Sequence, residues 1–242
     1  MSTVRHFPGE FGLKIRYHVP GVAAMGAVRV ECEHGNEALF PFASEHILVE
    51  RPEDSTRRQR PRRFYSERRF IPKPFEAQGV ETAEVVVCPR WREYGSSKNW
   101  PSWPELVERL HAHGIGTCAV GAPDSSVRVS GPSVVGYRRF LDATIEAMLG
   151  CDLVIATDAG LAHLAVLCGR PLLLITHRGL VAPGPVLDDR GLVMAPEYWP
   201  VRFREYYERA NHCGARIEMV DGWHSPESVV AAAFAMLTGR SV

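Results

Sequence analysis

Between residues 83 and 176 the sequence alternates short, continuous apolar runs with longer amphipathic or small-residue segments, and few folds accept that order. "AEVVVCP" (83–89), "IGTCAVGA" (115–122), "DLVIAT" (152–157) and "PLLLIT" (171–176) are too uniformly apolar for strands with one wet face. Runs of this kind belong in a parallel sheet buried on both sides. The segments between them supply the covers. "WPELVERLHAHG" (103–114) has helical periodicity and stops at Gly114, "GYRRFLDATIEAMLGC" (136–151) continues the pattern, and "LAHLAVLCG" (161–169) stops at Gly169. A last helix over 226–238 is introduced by "HSPES". Strands alternating with helices predict a doubly wound α/β domain over 79–242.

The region before it reads differently. Strand-like pieces occur at 27–32 and 46–50, with a short helix expected around 12–18, which predicts a reduced amino-terminal α/β domain over 1–78. It ends in an arm, 51–74, that carries eight positive residues between 57 and 73, with Phe64, Tyr65 and Phe70 interleaved. Such an arm either binds phosphate backbones and stacks on bases or is a solvated linker. Its residues Arg62, Arg63, Arg68 and Arg69 are the candidates for holding a polyanion.

Charge balance narrows the classes further. The chain has 28 basic and 28 acidic residues, which argues against coating nucleic acid with its whole surface and leaves room for a local basic patch. The amino terminus lacks the apolar core of a secretory signal, and no apolar stretch approaches the roughly 20 residues of a membrane helix. The six cysteines form no C-x-x-C pair, and Cys118, Cys151 and Cys168 lie in or beside apolar runs. They read as buried thiols of a reduced, cytoplasmic protein.

In an open parallel sheet, ligands gather at the carboxyl ends of the strands. Three turns there carry suitable chemistry. In "TDAGLAHLAVLCGRP" (157–171), Asp158-Ala159-Gly160 leads into a helix, and the N–H groups of Gly160, Leu161 and Ala162 would face an anion. The plainer reading is that Asp158 caps the helix and Gly160 eases the turn. In "CPRWREYGSSKNWP" (88–101), Arg90, Arg92, Ser96, Ser97 and Lys98 either cradle a diphosphate or form a solvated basic loop. In "VGAPDSS" (120–126), Asp124 either hydrogen-bonds a ribose hydroxyl or serves the turn. No D-x-D, H-E-x-x-H or paired-cysteine signature is present, and no G-x-G-x-x-G follows a strand, so neither a metal nor a dinucleotide cofactor is expected.

Taken together, "SSKNWP", "GTCAVGAPD" and "FLDATIEAMLGCDLVIATDAGLAHLAVLCGRPLLLIT" resemble the donor-binding half of the heptosyltransferase-like (family 9) glycosyltransferases, which have the two-domain GT-B architecture. The resemblance implies that Lys98 and the amides after Asp158 hold a nucleotide diphosphate, with Asp124 near the ribose. His163 matches the family's histidine and is either a ligand contact or a packed helix residue. "PGEFGLKIRYHVP" (8–20) resembles the family's glycine-rich first turn, which makes Glu10 the counterpart of the acid that deprotonates the acceptor or else an ordinary turn acid. The implied activity is metal-independent, inverting transfer from a nucleotide-diphosphate sugar to a hydroxyl of a glycan, a glycolipid or a modified DNA base. Two alternatives remain: a nucleotide-sugar epimerase sharing the GT-B plan, and a non-catalytic sugar-nucleotide-binding protein.

Overall fold

A computed structural model describes residues 3–4, 19–24, 29–33, 35–49, 83–92, 98–122, 125–135, 141–176, 207–208, 211, 213–221, 223 and 225–239. These residues form two sheets in which every pairing is parallel. The smaller sheet has the order β1 (Thr3–Val4), β2 (Arg29–Glu33), β3 (Glu45–Val49). A short helix, α1 (Val19–Ala24), precedes β2, and a 3-10 turn at Glu37–Leu39 follows it. The helix expected at 12–18 lies outside the described residues, as does the arm 51–74.

The larger sheet contains β4 (Val85–Cys88), β5 (Thr117–Gly121), β6 (Ser133–Val135), β7 (Leu153–Thr157), β8 (Leu172–Thr176) and β9 (Ile217–Asp221). Their spatial order is β6-β5-β4-β7-β8-β9. The chain therefore builds outward from β4 in one direction and then returns to build outward from it in the other. The reversal opens a crevice between the carboxyl ends of β4 and β7, which are adjacent, with Cys88 paired to Ala156.

Strand alternation divides the apolar side chains between two faces, and both faces are covered. Val86, Cys88, Val154, Ala156, Leu172 and Leu174 pack with α3 (Leu141–Gly150), α4 (Gly160–Leu167), Tyr207 and residues of the smaller sheet, including Val30 and Cys32. Val85, Val87, Leu153, Ile155, Leu173 and Ile175 pack with α2 (Trp103–Ala112) and α5 (Pro226–Thr238). Two-sided burial is why the central strands need no polar face.

Local signals set the helix limits. Ser225 caps α5 by accepting from the Ser228 N–H at 3.3 Å, with Pro226 in the first turn. Gly114 and Gly169 follow α2 and α4 with φ of 78° and 67°, the left-handed conformation that ends a helix. Observed bounds are shorter than the expected ones for α3, because residues 136–140 lie outside the described set. Cys118 and Cys151 are buried as expected, whereas Cys168, at the end of α4, is half-buried and packs against the core.

Candidate functional site

The loop leaving β4 is anchored at both ends before it presents any charge. Arg90 bridges antiparallel to Ser126, the Trp91 N–H donates to the Ser125 carbonyl at 2.8 Å, and the Val127 N–H donates to the Pro89 carbonyl at 2.7 Å. Asn99 closes the far end. Its Oδ1 accepts from the Arg92 N–H at 3.0 Å and from Arg90 Nη1 at 2.6 Å, while its Nδ2 donates to the Arg92 carbonyl at 2.7 Å. Trp100 then fixes the chain to the core. Its fully buried indole lies edge-on to Trp103, with centroids 5.1 Å apart, and donates to the Trp223 carbonyl at 3.2 Å. The apolar half of "KNWP" thus acts as an anchor that fixes the position of Lys98.

Lys98 meets Asp158 across the crevice. Its Nζ donates to Asp158 Oδ2, joining the loop after β4 to the turn after β7. The other carboxylate oxygen, Oδ1, accepts from the Tyr207 hydroxyl at 2.7 Å. Tyr207 is fully buried and stacks on His163, with centroids 4.5 Å apart and planes 18° apart. His163 projects from the first turns of α4, so helix, tyrosine and carboxylate hold one another.

Asp158 does not cap α4. The cap position is Ala159, in an extended conformation, with no side-chain capping bond. Both Asp158 oxygens instead serve partners outside the helix. The Ala162 N–H, expected to face an anion, donates to the Ala159 carbonyl at 3.1 Å, because the helix begins with a tight turn. Among the described residues nothing accepts from the N–H groups of Gly160 or Leu161, which lie at the positive end of the helix.

Burial opposes charge on Asp158, whose side chain is 16% exposed, but Lys98 and His163 nearby, with the hydrogen bonds from Lys98 and Tyr207, outweigh it. The carboxyl is held below its ordinary range and is ionised at neutral pH. The result is a fixed anion facing a half-exposed ammonium, beside the amino-terminal turn of α4. A ligand with negative oxygens would be received here by Lys98 and α4.

Of the residues expected at the site, Lys98, Asp158, Ala159, Gly160, Leu161 and His163 converge around this crevice. Arg90 lies on the adjoining loop, with its guanidinium joined to Asn99. Ser96, Ser97, Asp124, Glu10, Arg62, Arg63, Arg68 and Arg69 lie outside the described residues. Tyr207 was not foreseen from the sequence. Nothing in its neighbourhood, "REYYERA" (204–210), ties it to a carboxylate 49 positions earlier. Among the described residues no group of three or more His, Cys, Asp or Glu side chains could hold a metal ion. No described helix is long and apolar enough to cross a membrane.

Comparison with known proteins agrees with this architecture. The chain superposes on the E. coli ADP-heptose LPS heptosyltransferase II over 99% of its own length and 99% of the other, with a TM-score of 0.58 and 12% identity. A weaker likeness is to a family 9 glycosyl transferase from Veillonella parvula DSM 2008, with a TM-score of 0.45, 14% identity, and coverage of 93% of this chain and 78% of the other. No curated protein sequence matches the chain. The fold is GT-B-like, and residues 44–176, more than half of the chain, match the family described as "Glycosyltransferase family 9 (heptosyltransferase)". The chain belongs to that family and is a glycosyltransferase.

Proposed function

We propose that this glycosyltransferase takes its sugar from a nucleotide diphosphate and transfers it, with inversion and without a metal, to a hydroxyl acceptor. The observation that carries the reading is the Lys98–Asp158 pair across the crevice between β4 and β7, beside the amino terminus of α4. The strand-order reversal is where open α/β sheets bind nucleotides. The E. coli ADP-heptose LPS heptosyltransferase II, to which the fold is similar, is in keeping with a nucleotide-diphosphate donor.

In this reading the acceptor hydroxyl attacks the anomeric carbon as its proton passes to the Glu10 carboxylate. The bond from that carbon to the diphosphate oxygen breaks, and the electron pair leaves with the diphosphate. Lys98, Arg90 and the N–H groups of Gly160 and Leu161 stabilise the charge that develops. Positioned cations and helix dipoles are the groups that act on a departing phosphate. Ser96 and Ser97 would support the diphosphate, and Asp124 the ribose. Asp158 keeps Lys98 oriented before the donor arrives and, through Oδ2, can accept from a sugar hydroxyl once Lys98 turns to the diphosphate. Arg62, Arg63, Arg68 and Arg69 would hold an acceptor carrying several negative charges, such as a phosphorylated glycolipid or hydroxymethylated DNA. The scattered thiols suit a reducing, cytoplasmic compartment.

A thermal-shift panel of nucleotide-diphosphate sugars tests the donor. A ligand at about 100 times its Kd adds roughly 2.7 kcal/mol of stability. The bound donor is then incubated with phosphorylated glycolipid and with hydroxymethylated DNA, and the product anomer is read by NMR. If no nucleotide sugar shifts the melting temperature, the reading is wrong.

A further inference from the structure

Trp91 is a large apolar side chain held at the surface by a fixed backbone. It is 47% exposed, whereas Trp100 and Trp103 are fully buried. Residues 90–92 are held by the rest of the fold: the Trp91 N–H by Ser125, Arg90 by its bridge to Ser126, and the Arg92 backbone by both polar atoms of the Asn99 side chain. An exposed aromatic on such a backbone can receive a flat ligand with little loss of loop entropy.

Its position specifies which ligand. On one side, Arg92 is joined to Asn99, the residue after Lys98, so Trp91 lies beside the ammonium's own loop. On the other side, Ser125 belongs to the connection after β5. In a sheet of this strand order, the end of the second strand meets the ribose of a bound nucleotide, and the diphosphate sits at the reversal point. The base then extends from the crevice toward the β5 side, where Trp91 stands.

We propose that the exposed Trp91 indole is the stacking platform for the nucleobase of the donor. The inference rests on the nucleotide-diphosphate reading of the crevice. Stacking uses the π-face that every base possesses, so Trp91 contributes affinity for nucleosides in general and does not choose among bases.

Calorimetry with ADP, UDP, GDP and inorganic pyrophosphate tests this on the full chain, comparing wild type with W91F, W91A and K98A. W91A weakens the three nucleotides about tenfold or more and leaves pyrophosphate binding unchanged. W91F stays within about threefold of wild type, and K98A weakens all four ligands. In wild type, nucleotides but not pyrophosphate quench tryptophan fluorescence, and W91F abolishes the change, a readout that does not depend on how W91A folds. Unchanged nucleotide binding in W91A, or equal loss of pyrophosphate, overturns the role of Trp91 while the anion site stands. If wild type binds none of the four, the donor reading fails with it.

Discussion

The Lys98 ammonium and the Asp158 carboxylate, 60 positions apart in sequence, close the crevice between β4 and β7 with a direct ion pair. The lysine side chain is 37% exposed and screened by water on its open side, whereas the Asp158 side chain is only 16% exposed. What the pair fixes is the place of one cation beside the first turn of α4.

Replacing that cation separates the two roles. Lys98→Ala is expected to lower kcat for sugar transfer by about 10²–10³, the usual loss when one donor to a developing charge is removed. Its melting temperature should move by only a few degrees. Steady-state kinetics beside a thermal melt checks both, and activity within about threefold of wild type would remove Lys98 from the transfer step.

Asp158 also makes stability depend on acid. Its folded pKa lies below the ordinary value of 3.8, first because Lys98 and His163 overcome the burial that opposes it. Unfolded chains therefore take up this proton before folded ones do. The stabilisation is present in full above the ordinary pKa and disappears as pH falls through the folded value. Urea unfolding of wild type and D158N from pH 7 to pH 2.5 should show wild type ahead at neutral pH, with the gap closing below about pH 4. A gap that is constant across the range contradicts the assignment.

What the sequence revealed followed burial. β4, β5, β7 and β8 are the four inner strands of the larger sheet, and each reads as an apolar run because both faces are covered. The two strands not foreseen there, β6 and β9, are its edges. β6 has only three residues, and β9, "IEMVD", mixes charge with apolar side chains because an edge need not be apolar throughout. The same logic divides the site. Lys98, Asp158 and Gly160 were visible because each sits in a local strand-to-helix turn. Their direct pairing, and Tyr207 behind it, are long-range contacts without a local pattern.

Gly169 tests the helix stop beneath the site. At φ 67° an alanine would strain the backbone by about 1–2 kcal/mol. Its added Cβ would also lie 3.3 Å from the Cβ of Cys213, a tight approach. Gly169→Ala should lower the melting temperature by roughly 2–8 °C and leave nucleotide affinity unchanged, since the strain lies at the end of α4 remote from its amino terminus. Calorimetric scanning and a binding titration on one preparation measure both. An unshifted melt would mean that the left-handed turn is not required.

Tyr207→Phe isolates the hydroxyl behind Asp158. Phenylalanine keeps the ring that stacks on His163 and removes only the bond to Asp158 Oδ1. Hydrogen bonds to a charged group contribute about 1.5–3 kcal/mol, and this one is reached by a fully buried side chain, so a loss of that size is expected by urea unfolding at pH 7. A second effect distinguishes positioning from bulk stability. Without the tyrosine, the carboxyl loses one of the bonds that favour its charged form, so the acid midpoint of Asp158 should rise, as read by NMR titration of its side-chain carboxyl. Asp158 then holds Lys98 less firmly, and the KM for the nucleotide sugar should increase more than kcat falls. A variant that is destabilised but shows an unmoved midpoint and unchanged KM would make Tyr207 a core residue with no hold on the site.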